Sequence, residues 1–243
     1  MDLKKESARI AFSLIKNNSS VGLGDGSAFR SLAAYLAEGI NSGLDLKLYT
    51  SSFTTERFLT EAGLTVSDLS HTDSLHQYFD GCDQVDFQLN ALKSGSGIHT
   101  QEKLLASMAD EFIILADESK FIGSFDPKFP LVLEVLPQAC GYVMKAMKKM
   151  FPLSMQTLRT SAENANGPVL TRNGNHLLDC RFPEWPDPFL VQSQCRPVTG
   201  VVDISLFYQL ASEAIIAGEN GVNRYQKNQE GVHLINRYPL ELQ

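Results

Sequence analysis

Three short segments, close together along the chain, carry the residue types that acid–base chemistry needs. They are D-G-C-D-Q at 80–84, K-S-G-S-G at 93–97 and T-Q-E-K at 100–103. They provide two aspartates, Asp80 and Asp83, a lysine, Lys93, in a glycine- and serine-rich loop, and a glutamate, Glu102, at a helix start. A carboxylate base beside a cation suits proton abstraction next to a carbonyl group, because the cation stabilises the negative charge that develops on the oxygen.

The elements around these segments predict that they meet at one edge of a sheet. The first segment ends an apolar strand within Y-F-D-G-C-D-Q-V-D-F, and the third opens the helix T-Q-E-K-L-L-A-S-M-A-D-E-F. The next strand, E-F-I-I-L-A-D-E-S-K, is apolar from Phe112 to Leu115, a pattern typical of a strand buried on both faces. Ligands of open α/β sheets bind at the carboxyl ends of the strands, so we expect the site there.

Strands and helices alternate along the first half of the chain. The predicted helices cover 3–16, 27–40 and 54–63, and the predicted strands cover 19–24, 44–52 and 64–70. This alternation indicates the α/β class, with a parallel sheet between two layers of helices.

A change in composition and in the pattern of predicted elements near Phe125 predicts a second, smaller domain. Three prolines lie in F-D-P-K-F-P-L-V-L-E-V-L-P, a lysine-rich helix follows at about 139–150, and Asn173-Gly174 predicts a β-hairpin. We expect a small α+β domain at 127–200, inserted into a larger domain formed by 1–126 and 201–243.

Composition and charge exclude several classes of function. The net charge of −7 and the pI of about 5.2 disfavour partners such as nucleic acid and anionic membranes. No apolar run approaches the roughly 18 residues of a membrane span, and the charged N-terminus lacks the features of a signal peptide, so we expect a cytoplasmic protein. The four cysteines form no C-x-x-C pair and the five histidines form no H-E-x-x-H motif, so we expect free thiols and no metal site.

The segment V-G-L-G-D-G-S-A-F at 21–29 has the pattern of a glycine-rich turn between a first strand and a helix. Such a turn binds phosphate through backbone amides at the helix N-terminus. Asp25 places a carboxylate in the middle of this turn.

Taken in order, these motifs resemble the ribose-5-phosphate isomerase type A family. That family carries D-G-A-D-E, K-G-G-G, T-R-E-K and A-D-x-S-K at this spacing. "VGLGDGSAF" resembles its G-x-G-T-G-S-T turn, "TSSFTTERF" its S-S-x-x-T-E segment, "LVLEVLP" its P-x-E-V-x-P stretch and "TRNGN" its T-D-N-G-N hairpin. The resemblance covers nearly the whole chain.

The resemblance implies a Rossmann-like larger domain with a small inserted α+β domain. It also implies an aldose–ketose isomerisation through an enediolate, without a metal or other cofactor. Glu102 corresponds to the base, Asp80 and Asp83 to the aspartates that handle sugar hydroxyls and ring opening, and Lys93 to the lysine that stabilises the oxyanion. The residues expected to bind a sugar or sugar phosphate are Lys4, Gly24, Asp25, Gly26, Ser27, Ala28, Ser51, Ser52, Thr55, Gly95, Ser96 and Lys120. The family further suggests a homodimer or homotetramer.

Departures from the family pattern lie around the phosphate turn and the loops. Asp25 and Ala28 stand where the family has threonines, so two hydroxyl donors are lost and a charge is added. A carboxylate about 4 Å from a phosphate dianion repels it by several kcal/mol at an effective dielectric constant near 20. In the other loops, Gln84 replaces a glutamate, Ser94 and Ser96 replace glycines, and Gln101 replaces an arginine.

Two alternatives to a ribose-5-phosphate isomerase therefore stay open. One is an isomerase with specificity for another sugar or sugar phosphate, and the other is a catalytically weak sugar-binding or regulatory protein on the same scaffold. Each site residue also has an ordinary explanation, because Glu102 suits a helix start, Asp80 and Asp83 suit turns, and Lys93 could be solvated. A dinucleotide-binding enzyme is disfavoured, since the turn lacks the third glycine of G-x-G-x-x-G.

Overall fold

The computed structural model describes residues 2–161 and 167–240. The helices are α1 (Leu3–Ser13), α2 (Ala28–Asn41), α3 (Phe53–Glu61), α4 (His99–Met108), α5 (Cys140–Met150) and α6 (Pro188–Cys195). The strands are β1 (Ser19–Leu23), β2 (Leu46–Thr50), β3 (Leu75–Gly81), β4 (Gln84–Asp86), β5 (Ala91–Leu92), β6 (Ala109–Asp117), β7 (Phe121–Ile122), β8 (Leu131–Val135), β9 (Met155–Leu158), β10 (His176–Arg181), β11 (Val201–Ile204), β12 (Leu206–Phe207), β13 (Glu213–Gly218), β14 (Gly221–Asn228) and β15 (Gly231–Tyr238).

The main sheet has seven strands in the order β15-β14-β13-β6-β3-β1-β2. The five strands from β13 to β2 run parallel, and β14 and β15 continue the sheet as an antiparallel hairpin. The predicted α/β class with a parallel sheet is confirmed. In the central strand β6, the side chains from Phe112 to Ala116 are buried, as its apolar run predicted.

The predicted strand at 64–70 is wrong as a member of the sheet. Only Val66 bridges to Leu48, and a 3₁₀ helix follows at Leu69–His71. The physical reason is local, because the Asp68 side chain accepts a hydrogen bond from the Ser70 amide and turns the backbone out of the extended conformation.

A second sheet has the order β11-β8-β10-β9 and is covered by α5 and α6. Its core contains Trp185, Phe182 and Met147. The predicted turn at Asn173-Gly174 is present, with the Thr171 amide donating to the Asn175 carbonyl at 2.9 Å. Because β11 pairs with β8, residues 201–204 lie in this smaller sheet, although the proposed boundary at residue 200 assigns them to the larger domain.

A third sheet, in the order β12-β5-β4-β7, lies between the other two in the chain's path. In chain order, β4 and β5 follow β3, β7 follows β6, and β12 precedes β13. The chain therefore passes from the main sheet into this small sheet after β3 and β6, and from the small sheet to the main sheet before β13. The loop that follows β5 carries Lys93, so this small sheet brings the lysine loop back to the edge of the main sheet.

The strand order reverses at the β1–β3 boundary, because β2 lies on one side of β1 and β3 on the other. In open α/β sheets, such a reversal opens a crevice at the carboxyl ends of the two strands. The Gly24 amide donates to the Phe79 carbonyl at 2.8 Å, so the two strand ends stay close together. No helix in the described part of the chain is long and apolar enough to cross a bilayer.

Gly24 is required by this close approach. A Cβ atom at this position would lie 1.8 Å from the Oδ1 atom of Asp80. Gly24→Ala is therefore expected to reduce the free energy of unfolding by about 3 kcal/mol, or roughly 10 °C in melting temperature. The matched control is Gly141→Ala in α5, where a Cβ has nothing within 4 Å and should stabilise the helix by up to about 1 kcal/mol. Equal thermal melts for both variants would contradict the steric argument.

Candidate active site

A cleft of about 240 Å³ opens at the carboxyl ends of β1, β3 and β6. Of the predicted site residues, those that line it are Lys4, Asp25, Gly26, Ser27, Ala28, Asp83, Lys93, Gly95, Ser96, Glu102 and Lys120. The remaining predicted residues, Gly24, Ser51, Ser52, Thr55 and Asp80, are buried behind the lining. The tertiary structure therefore brings segments that are distant in sequence to one cavity.

A buried lysine joins two buried carboxyl groups at the base of this cleft. The Nζ atom of Lys93 lies 2.9 Å from the Oδ1 atom of Asp80 and 3.3 Å from the Oε1 atom of Glu102, and it donates to the Gly81 carbonyl at 2.6 Å. The side chains of Asp80 and Glu102 are fully buried, and that of Lys93 is 7% exposed. We call Asp80, Lys93 and Glu102 the charge cluster.

Asp80 is held by donors on every side. Its Oδ1 atom accepts hydrogen bonds from the amides of Gly81 and Asp25, at 2.7 and 3.2 Å, and its Oδ2 atom accepts one from the Tyr78 hydroxyl at 2.7 Å. Burial and the neighbouring Asp80 charge raise the pKa of Tyr78 well above its usual value, so the hydroxyl stays protonated and continues to donate. Asp80 thus fixes the position of Lys93 rather than facing the cleft.

Glu102 differs from Asp80 because neither of its carboxyl oxygens receives a well-directed hydrogen bond from the described residues. Lys93 is the cation beside it, and α4 holds its side chain above the end of β3. A buried carboxylate without donors is a strong base, since folding has removed its water without replacing it.

Asp83 shapes the loop that carries Lys93. Its Oδ2 atom accepts hydrogen bonds from the amides of Ser94 and Gly95, at 2.5 and 3.1 Å. The Ser94 hydroxyl donates to the Pro130 carbonyl at 2.5 Å. Asp83 also lines the cleft, so one carboxylate both orders the loop and faces the cavity.

The glycine-rich turn is held from behind by the start of α3. Ser52 donates to the Oδ1 atom of Asp25 at 2.5 Å and accepts from the Thr55 amide at 3.2 Å as the N-cap of α3. The Thr55 hydroxyl donates to the Gly24 carbonyl at 2.7 Å. The Asp25 carboxylate therefore accepts its hydrogen bond from a hydroxyl group. Arg30, a cation only five residues away in sequence, lies instead 3.7 Å from Glu61.

Comparisons with known proteins decide the family. The family model for ribose 5-phosphate isomerase A (phosphoriboisomerase A) matches residues 47–221. The ribose-5-phosphate isomerase A of Pyrococcus furiosus is 32% identical over 228 residues, which is 93% of this chain and 98% of the relative. That of Prochlorococcus marinus is 34% identical over 232 residues, covering 93% and 97%. This chain belongs to the ribose 5-phosphate isomerase A family.

Solved structures agree with this assignment. Ribose 5-phosphate isomerase A from Methanocaldococcus jannaschii has a TM-score of 0.84 and 29% identity, with 93% of this chain and 99% of that chain covered. A D-ribose-5-phosphate isomerase in complex with phospho-erythronic acid has a TM-score of 0.82 and 28% identity, with 98% and 100% covered. The predicted family and fold are confirmed, and the protein is an aldose–ketose isomerase, an intramolecular oxidoreductase.

Several cleft residues of this isomerase were not predicted from its sequence. They are Leu3, Ser7, Phe29, Gly81, Cys82, Leu115, Ala116 and Asp117. Three of them could have been predicted from the motifs, because Gly81 and Cys82 separate the two aspartates of the first motif and Asp117 belongs to A-D-x-S-K. Tyr78 was also missed, although its place two residues before Asp80 puts both side chains on one face of β3.

The cleft holds two further cations. The Nζ atom of Lys120 donates to the Cys82 carbonyl at 2.8 Å, and Lys4 reaches the cleft from the first turn of α1. Within residues 2–161 and 167–240, no group of three His, Cys, Asp or Glu side chains could hold a metal ion. The buried His99 has a pKa lowered to about 4 by burial and by Lys103, so it stays neutral.

The charge cluster has displaced protonation equilibria. Burial raises the pKa of Glu102 to about 8, with Lys93 opposing the rise and Asp80 adding to it. Burial alone would lower the pKa of Lys93, but the Asp80 and Glu102 charges outweigh it and raise the pKa. Burial also raises the pKa of Asp80, with Lys93 opposing the rise. Lys93 is therefore the fixed cation of the charge cluster, and the pKa of Glu102 lies close to neutral pH.

The raised pKa of Glu102 makes stability depend on pH. The folded pKa of about 8 exceeds the unfolded value of 4.5, so stability declines as pH rises from about 4.5 to about 8. Glu102→Gln removes this titration, and its melting temperature should exceed that of the wild type by a margin that grows to a few degrees across this range. Thermal melts at several pH values check this, with the exposed Glu184→Gln as control. A margin that does not change with pH would contradict the assignment.

Proposed function

We propose that this protein interconverts ribose 5-phosphate and ribulose 5-phosphate through an enediolate, a step of the pentose phosphate pathway. The observation that carries the proposal is the charge cluster, in which the fully buried Glu102 accepts no well-directed hydrogen bond from the described residues and lies 3.3 Å from the buried ammonium of Lys93. A base and a fixed cation are the two groups that proton transfer next to a carbonyl requires.

The proposed reaction moves one proton between neighbouring carbons. Glu102 removes the proton from C2 of the open-chain aldose, and the electron pair shifts to form the enediolate with its charge on O1. Lys93 stabilises that charge. Glu102 then returns the proton to C1, and the proton of the O2 hydroxyl passes to O1, which leaves a ketone at C2 and a hydroxyl at C1. Asp80 keeps Lys93 charged and in place, and Asp83, which lines the cleft, is the residue to handle sugar hydroxyls and ring opening.

The distal end of the substrate would lie near the start of α2. Gly26, Ser27 and Ala28 line the cleft there, and Lys4 and Lys120 supply positive charge. A helix N-terminus with two lysines suits a phosphate group. A structural relative is in complex with phospho-erythronic acid, a phosphorylated sugar acid, which supports a phosphorylated substrate for this chain.

A second substrate class is favoured by the turn itself. Asp25 and Ala28 both line the cleft where the family pattern has threonine hydroxyls, and the Asp25 carboxylate is held there by Ser52. This arrangement favours a substrate with a hydroxyl group near Asp25. A panel of aldose phosphates and free aldoses, scored for exchange of the C2 proton with solvent deuterium, separates the two classes.

We also propose that the protein acts in the cytoplasm as a homodimer or homotetramer. The support is the membership of the ribose 5-phosphate isomerase A family. Sedimentation equilibrium of the purified protein measures the assembly directly, and a monomer at micromolar concentration would refute it.

Glu102→Gln tests whether the protein is an enzyme with Glu102 as its base. Glutamine keeps the size of the side chain but cannot accept the proton, so kcat on ribose 5-phosphate should fall at least about 100-fold while ligand binding persists. Glu184→Gln, at an exposed position, should retain full activity. Coupled spectrophotometric assays and calorimetric titration provide the two readouts. Undiminished turnover in Glu102→Gln would remove this residue from the mechanism.

Asp25 and Ala28 can be returned to the family's threonines together. If these positions weaken phosphate binding, the double variant Asp25→Thr/Ala28→Thr should raise kcat/KM for ribose 5-phosphate relative to free ribose by about 10-fold or more, because repulsion is removed and hydroxyl donors are added. The ratio for the two sugars cancels any general loss of active protein. An unchanged ratio would show that the turn does not set specificity at the distal end.

A further inference from the structure

Arg159 lies outside the cleft lining but binds the loop that carries Lys93. It follows β9, and its guanidinium donates to the Gly95 carbonyl at 2.9 Å and to the Ser94 carbonyl at 2.8 Å. The same group donates to the Oδ1 atom of Asp179 in β10 at 2.6 and 3.1 Å. The smaller sheet is thus connected to the lysine loop through one side chain.

Side chains bind both the carbonyl and the amide groups of the lysine loop, and together we call these contacts the loop clamp. Arg159 takes the carbonyl groups of Ser94 and Gly95, while Asp83 takes the amides of the same two residues. The Lys93 amide adds a hydrogen bond to the Ser205 carbonyl at 3.0 Å. Every backbone polar group of Ser94 and Gly95 therefore has a partner, which determines the direction in which the loop leaves Lys93.

The loop clamp also sets the direction of the Ser96 amide. A trans peptide bond is planar, so its carbonyl and its amide hydrogen point in opposite directions, and the described residues contain no cis peptide. With the Gly95 carbonyl turned to Arg159, the Ser96 amide points away from Arg159. Gly95 and Ser96 line the cleft, and a charged donor on the carbonyl makes that amide a stronger donor.

We propose that Arg159 is a positioning residue for the isomerisation, acting by fixing the loop that presents Lys93 and the Ser96 amide to the substrate. The inference rests on the proposed function. Arginine suits this role better than lysine, because its planar fork reaches two carbonyls and a carboxylate at once. Asp179 orients the fork and balances its charge.

The test compares Arg159→Ala and Arg159→Lys with a control ion pair. Arg224 forms a two-pronged pair with Glu213 at 2.7 and 2.9 Å and is exposed to a similar degree, 21% against 19% for Arg159, so Arg224→Ala controls for loss of a partly buried pair. A double variant, Arg159→Ala/Asp179→Asn, avoids leaving Asp179 unpaired if the single variant folds poorly.

The expected result is a loss in kcat with KM nearly constant. Misplacement of Lys93 by about 1 Å should lower kcat roughly 100-fold in Arg159→Ala, less in Arg159→Lys, and not in Arg224→Ala. Millimolar guanidinium should restore part of the activity of Arg159→Ala, and equal concentrations of sodium chloride should not. An unchanged kcat, or an equal loss in Arg224→Ala, would overturn the proposal.

Amide hydrogen exchange tests the loop clamp without using any substrate. The amides of Ser94 and Gly95 should exchange faster in Arg159→Ala than in the wild type, while Arg224→Ala leaves them protected. If the wild type does not turn over ribose 5-phosphate, the proposed function fails but this measurement still decides the role of Arg159. Unchanged exchange rates at both amides would refute the claim that Arg159 orders this loop.

Discussion

The site depends on one buried ammonium group, Lys93, held between two buried carboxyl groups. Asp80 has four donors and serves as the fixed counter-ion, whereas Glu102 has Lys93 as its one ion-pair partner among residues 2–161 and 167–240. Burying ionisable groups is unfavourable unless they compensate one another, so the loss of Lys93 would leave two buried carboxyl groups without a counter-charge. The difference in solvation between the two carboxyl groups separates their tasks, one structural and one suited to proton transfer.

The rest of the fold serves to hold this cluster in place. The reversal of strand order at β1 opens the crevice, and Gly24 permits the strand end to approach Asp80. Helix α4 supplies Glu102 from one side, and the small sheet β12-β5-β4-β7 supplies Lys93 from the other. Such an arrangement opposes stability, since the carboxyl group best suited to catalysis is the one the fold solvates least.

The predictions that were confirmed rest on local patterns. The apolar run of β6, the glycine turn and the alternation of elements report periodicity and backbone preference, which neighbouring residues determine. The predicted strand at 64–70 was wrong because Asp68 captures the Ser70 amide, a short polar contact that an apolar pattern conceals. Arg159 gave no signal, because its partners at Ser94 and Gly95 are backbone atoms about 65 positions earlier in the chain.

The sequence by itself determined the family, the α/β class and most of the charged groups that line the cleft, since ordered motifs and residue types are properties of the chain. Only the tertiary structure decided which carboxyl group is solvated by donors and which is not. Burial and contact between residues distant in sequence set that difference, and the same is true of the Ser52 hydroxyl that holds Asp25. Chemical type is encoded residue by residue, whereas the pKa of a buried group is a property of everything packed around it.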